Sequence, residues 1–116
     1  MTHNSYRGEI SVKLKDQSYI LKLTFDQLVK LEQETNKGIL KIAKDFSEGN
    51  YGIHDITALL WFSLSEKGRQ AYTIASLGNL ILGSGLSTYT SHCIDLLSLT
   101  LDGATTRTKK SILPSK

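Results

Sequence analysis

The chain contains one cysteine, Cys93, in 116 residues, which excludes an intramolecular disulfide and any cysteine-rich zinc site. A reducing compartment fits that count. Long apolar runs are missing as well. Met1–Gly8 is polar, so no signal-peptide hydrophobic region is expected there. The most apolar stretch begins at Ile74 but is interrupted by Gly78, Asn79, Gly83 and Ser84. It falls short of the roughly 20 predominantly apolar residues of a spanning helix. Surplus charge is scarce in the body of the chain. Of 14 cations, Arg107, Lys109, Lys110 and Lys116 lie in Gly103–Lys116, where there is no acid, leaving 10 cations against 11 anions elsewhere. The body is therefore near −1, and the formal +3 belongs to a basic tail. Nucleic-acid binding would call for a basic face interleaved with aromatic residues, and the body has none.

Reactive constellations are equally sparse. His3, His54 and His92 show no i, i+4 spacing with another ligand type. His54 and Asp55 are neighbours and would point apart on a helix, where Asp55 reads as an acid in a favourable first turn. His92 and Cys93 likewise do not face one another, and Cys93 falls on an apolar stripe as a buried thiol. Glu32 and Glu34 read as a solvated helix face. Gly83-x-Gly85 has neither the preceding strand nor the Lys-Ser/Thr ending of a phosphate loop. Trp61, in an apolar run at helical spacing, reads as core. No catalytic residue, metal ligand or cofactor is expected, and the chain is read as a binding component, not an enzyme.

What is present is patterning. Ile10, Val12 and Leu14 alternate with Glu9, Ser11, Lys13 and Lys15, the period of a half-buried strand. Asp16-Gln17 supplies a polar turn, and alternation resumes in Tyr19, Leu21, Leu23 and Phe25. The period then changes. Thr24 and Gln27 form a capping-box pattern ahead of Leu28 and Leu31, and Asn36-Lys37-Gly38 is a stop, with Gly38 suited to the left-handed conformation. A second helix is expected from Ile39 to about Ser47, and a central third from about Ile53 to Glu66. A fourth begins at a Thr73 cap, weakened at Gly78 by about 1 kcal/mol relative to alanine. A fifth runs from Leu86 to Leu101. The expected fold is α+β: an N-terminal β-hairpin followed by a small bundle of four to five helices. It forms one domain over residues 1–102, with a disordered basic tail over 103–116.

The order of these residues resembles a known family. Arg7-Gly8-Glu9, an alternating strand, Leu21-Lys22-Leu23-Thr24-Phe25, then Leu28 and Leu31-Glu32 resembles the opening of the gene-transfer-agent family of small phage-tail proteins. Asp55-Ile56 followed by Leu59-Leu60-Trp61 resembles that family's third helix. The turn lacks the glycines expected there, and Gly78-Asn79 replaces an acidic, alanine-rich stretch. The resemblance implies a role in a phage-like tail, with tail proteins (the tape measure and the tail tube) as partners. It implies either a structural tube or tail-completion subunit or an assembly chaperone holding the tape-measure protein, in the bacterial cytoplasm or within a phage-like particle. A single hairpin suits the chaperone better, since ring closure through extended sheets needs many strands. A small DNA-binding regulator, favoured only by the tail charge, ranks last. Self-association is open, and no membrane partner is expected.

The expected partner surface follows from surplus apolar residues. Leu21, Leu23, Phe25, Leu28, Leu31, Ile42, Phe46, Leu60 and Trp61 suffice for a core. Ile74, Leu77, Leu80, Leu82, Leu86 and Tyr89, on helices loosened by glycine, are then left for a partner or a second copy. The competing reading, that they finish the core, applies to Leu77 and Ile81 before Leu82 and Leu86.

Overall fold

The computed structural model describes residues 3–4 and 8–102. The basic tail expected over 103–116 lies outside them. Strands β1 (His3–Asn4), β2 (Glu9–Leu14) and β3 (Gln17–Leu21) form an antiparallel sheet in the order β1-β2-β3. Six helices follow: α1 (Phe25–Thr35), α2 (Ile39–Glu48), α3 (Ile53–Ser63), α4 (Glu66–Ala71), α5 (Ile74–Ser84) and α6 (Leu86–Asp102). The α+β class and the N-terminal hairpin are as the sequence patterning indicates. The helix count exceeds the expected four to five because of α4.

The hairpin register pairs Val12 with Tyr19 and Leu14 with Gln17, so its two-residue turn is Lys15-Asp16, one residue earlier than expected. Lys15 takes the left-handed conformation, at φ 56°. Ile10, Val12, Leu14, Tyr19 and Leu21 point to one face and are buried there. At the far end of β3, Leu21 bridges to Leu64, and the Lys22 N–H donates to the Ser63 carbonyl at 2.8 Å. That bridge ends α3 at Ser63, three residues before the expected limit, because Leu64 is drawn into extended backbone (φ −63°, ψ 149°) to meet the sheet.

Side chains fix the helix ends. The Thr24 hydroxyl accepts from the Gln27 N–H at 3.3 Å, the hydroxyl half of the expected capping box. Asn36, not Gly38, adopts the left-handed conformation after α1 (φ 57°), since asparagine tolerates that region, and Gly38 is the extended N-cap of α2. Thr73 and Ser76 cap α5 reciprocally, at 2.9 and 3.0 Å. Phe25 departs from the core assignment: it is 78% exposed, because the strand period stops at Leu21 and Phe25 opens α1 facing outward. Trp61 is half-buried, its indole N–H donating to the Tyr72 carbonyl at 2.8 Å.

Helix α3 is the centre of the molecule. Ile56, Thr57, Ala58, Leu59, Leu60, Phe62 and Ser63 are all buried on it, and α1, α5, α6 and β3 pack around it. An ionic cluster ties α2 and α3 to the loop after α1. The Lys37 ammonium lies 3.1 Å from both Asp45 and Asp55, and Asp45, almost fully buried, also meets Lys41 at 2.7 Å. Lys41 first, and Lys37 next, hold the Asp45 carboxyl below its ordinary 3.8. Asp45, and then Asp55, raise Lys37 above 10.5.

Two expectations arise from this packing. A Cβ at Gly78 would meet Thr57 at 3.6 Å, an ordinary contact, whereas one at Gly68 would come within 2.8 Å of Leu64 Cδ2 and 3.0 Å of its Cβ. Gly78→Ala should therefore raise stability by about 0.5–1 kcal/mol, and Gly68→Ala should lower it by about 1–3 kcal/mol; thermal melts read both. The second concerns acid. A lowered carboxyl stabilises the fold fully above its unfolded value, and that contribution disappears as pH falls through the folded value. The Tm gap between the wild type and Asp45→Asn should therefore be widest near neutrality and close as pH drops below 3.8.

Candidate functional site

The candidate reactive groups are each engaged in structural roles. Asp55 accepts the Gly52 N–H at 2.9 Å, capping α3, besides holding Lys37. Glu32 accepts the Ile39 N–H at 2.8 Å, so it caps α2 from the preceding helix instead of facing solvent as part of a carboxylate pair. Glu34 meets His54 at 2.8 Å on the surface. Cys93 is fully buried, its thiol pushed well above the ordinary cysteine range by desolvation. A thiolate nucleophile does not form under those conditions. His92 contacts the Thr88 carbonyl through Nδ1 at 2.7 Å, one turn back on its own helix. Among the described residues, no group of three or more His, Cys, Asp or Glu is placed to hold a metal ion. No helix among them is long and apolar enough to cross a membrane.

What the described surface offers instead is aliphatic side chains. The six residues assigned to a partner surface divide by burial. Leu77 and Tyr89 are core residues, at 0% and 5% exposure, and cannot touch a partner. Ile74 and Leu80 are half-buried against that core. Leu82 and Leu86 remain outside, at 64% and 39%. The division follows helical geometry. Leu77 and Ile81, four apart, share the face of α5 turned to α3, whereas Leu82, one position on, is rotated about 100° away.

Leu82 and Leu86 flank the corner where α5 gives way to α6 at Gly85, which has φ 105°. Nothing lies within 4 Å of a Cβ at Gly83 or Gly85, so the corner is open on that side. A shallow hollow of about 290 Å³ adjoins it, between Leu86 and Thr90 of α6 and Tyr51, Ile53 and Ile56 at the start of α3. The site is thus a convex aliphatic corner beside a shallow depression, suited to adhesion and not to enclosing a small substrate. Further aliphatic exposure, missed in the sequence reading, occurs at Leu40 on α2 and at Ile94 and Leu101 on α6. Its signal was available as charge depletion: between Thr73 and Asp102 the only charged residues are Asp95 and Asp102.

Comparison with known proteins agrees with the residue order. Neither curated proteins nor solved structures give a significant match. A family model described as "Phage tail tube protein, GTA-gp10" matches residues 7–103, covering the sheet and all six helices from β2 onward. The chain belongs to this gene-transfer-agent family of phage-tail proteins.

Proposed function

We propose that this protein is a non-catalytic tail-assembly component that holds an apolar helical segment of another tail protein at the α5–α6 corner. The tape-measure protein is the expected partner, and the host cytoplasm the place of capture. The observation that carries this reading is the exposure of Leu82, a large aliphatic side chain left outside a core that α5 otherwise completes. An amphipathic helix laying its apolar stripe against such a corner would remove Leu82 and Leu86 from water at about 25 cal/mol per Å². The scant sheet supports the same choice. Among the described residues it has three strands, one of them two residues long, and the outer side of β3 is met by Ser63-Leu64 at one end.

A second reading, a structural subunit of the tube or of tail completion, is favoured by the family's own description. The two separate by copy number. Mass spectrometry of purified particles should find the protein absent if it acts as a chaperone, and present in ring multiples if it is structural. The binding surface is tested separately. Leu82→Glu should leave helix content intact and stability within about 0.5 kcal/mol, as for most surface changes. It should abolish co-purification with a tape-measure fragment. Undiminished co-purification by a folded Leu82→Glu protein would remove this corner from the interface.

A further inference from the structure

The outward face of α6 has the composition of an interface. Over its 17 residues α6 carries no Lys, Arg or Glu. Its exposed positions include Ser87, Ser91, Ile94, Ser98 and Leu101. Leu86, Ile94 and Leu101 are 39%, 44% and 41% exposed, and at 3.6 residues per turn they fall within about 80° of one another. Aliphatic side chains among small uncharged ones, with charges depleted, characterise the centre of protein–protein contacts. The face continues sideways into a hollow of about 280 Å³ between α2 and α6, bordered by Ala43, Phe46 and Ser47 opposite Ile94 and Leu101.

The pattern on this face also indicates what covers it, because it is symmetric about its own centre. Ile94 is the midpoint of Leu86–Asp102. An antiparallel two-fold through Ile94 would set Ile94 against itself, Leu101 against Ser87 and Ser98 against Thr90, so that large residues meet small ones. The helix ends match in the same arrangement. The first turn of α6 has no acid, and Gly85 before it has no side chain with which to cap it. The last turn has no base, and Asp102 stands there against the negative end of its own helix. Reversing a second α6 brings each Asp102 carboxylate to the free N–H groups of the other copy's first turn, which favours both ends. Asp95, on the flank of the face, is already engaged by an interaction of its own. A foreign helix would meet these ends equally well only by carrying an acid at the same place. The chain supplies its own.

We infer that α6 pairs antiparallel with α6 of a second copy of this chain, about a two-fold axis at Ile94, to give an isologous homodimer. This surface is distinct from Leu82, so the two readings stand or fall separately. The experiment is sedimentation velocity of the full chain over a wide concentration series. The wild type should sediment as a dimer at the upper concentrations. Ile94→Asp and Ile94→Lys should each be monomeric, with helix content unchanged by circular dichroism, because like charges then meet on the axis. An equimolar mixture of the two should recover the dimer, since opposite charges now face one another. Should either variant lose helix content, Ser91→Arg, at a fully outward position, replaces it as the disrupting change. A wild type that remains monomeric throughout overturns the inference, including one that instead binds an added amphipathic peptide on this face. Variants that keep the wild-type oligomer overturn it as well. A mixture that stays monomeric overturns the two-fold at Ile94.

Discussion

The structure depends on enclosing α3. Seven of its eleven residues are buried and it carries almost no hydrophilic face, so neighbours must cover it nearly all round. The coverage comes from α1, α5, α6 and the edge of the sheet. Each fully buried leucine or isoleucine contributes about 1.5–3 kcal/mol, and Ile56, Leu59 and Leu60 are all at or below 2% exposure. The polar groups that α3 takes inside are accommodated locally in one case: the Ser63 hydroxyl donates to the Leu59 carbonyl at 2.6 Å. Thr57 packs where α5 passes closest, at Gly78. Enclosure of α3 also dictates where function can reside. The inner faces of α5 and α6 are consumed by it, so only their outer faces and the corner between them remain available.

The ionic cluster around Lys37 is a consequence of the same enclosure. Helix α2 presents Ile42 and Phe46 to the core, and Asp45, between them in sequence, is carried inside with them. A carboxylate with so little contact with water is tolerated only when paired. Lys37 and Lys41 supply the pairing from either side, and Lys37 shares its charge with Asp55 at the start of α3. Three elements are thus registered by one ammonium group. The residues that looked most like chemistry in the sequence, Asp55 among them, are fully used in this registration.

Much of the fold was legible in the residues. The alternation from Ile10 to Leu14, the Thr24 and Thr73 caps, and the glycine after α2 each act locally, through hydrogen bonds within a turn or through a single backbone conformation. What was not legible was set from a distance. The run Leu59–Leu64 carries no punctuation, and only the bridge from Leu64 to Leu21 ends α3 and frees residues for α4. Phe25 continued the strand's period on paper, but the sheet stopped four residues earlier and the helix turned it outward. The partner surface was legible only in part for a related reason. Counting apolar residues brought Leu77 and Tyr89 together with Leu82 and Leu86, and only helix phase against α3 separates them. The outer face of α6 went unnoticed because its signature lies in missing charges more than in apolar residues present.

The two proposed surfaces have a joint consequence. A 17-residue helix is about 25 Å long at 1.5 Å per residue. In an antiparallel α6 pair, the two α5–α6 corners would therefore sit at opposite ends of the shared interface, each displaying its own Leu82. Neither corner would be buried by the pairing, because Leu82 belongs to α5, outside the paired face. Such a dimer is bivalent. A partner with apolar helical segments recurring along its length could engage both corners, the second at an effective concentration set by the link between segments. Modest affinity at one aliphatic corner would then become firm retention without any new contact. A monomer with the same corner would release its partner far more readily, and that difference gives the two-fold on α6 a physical purpose in a holding protein.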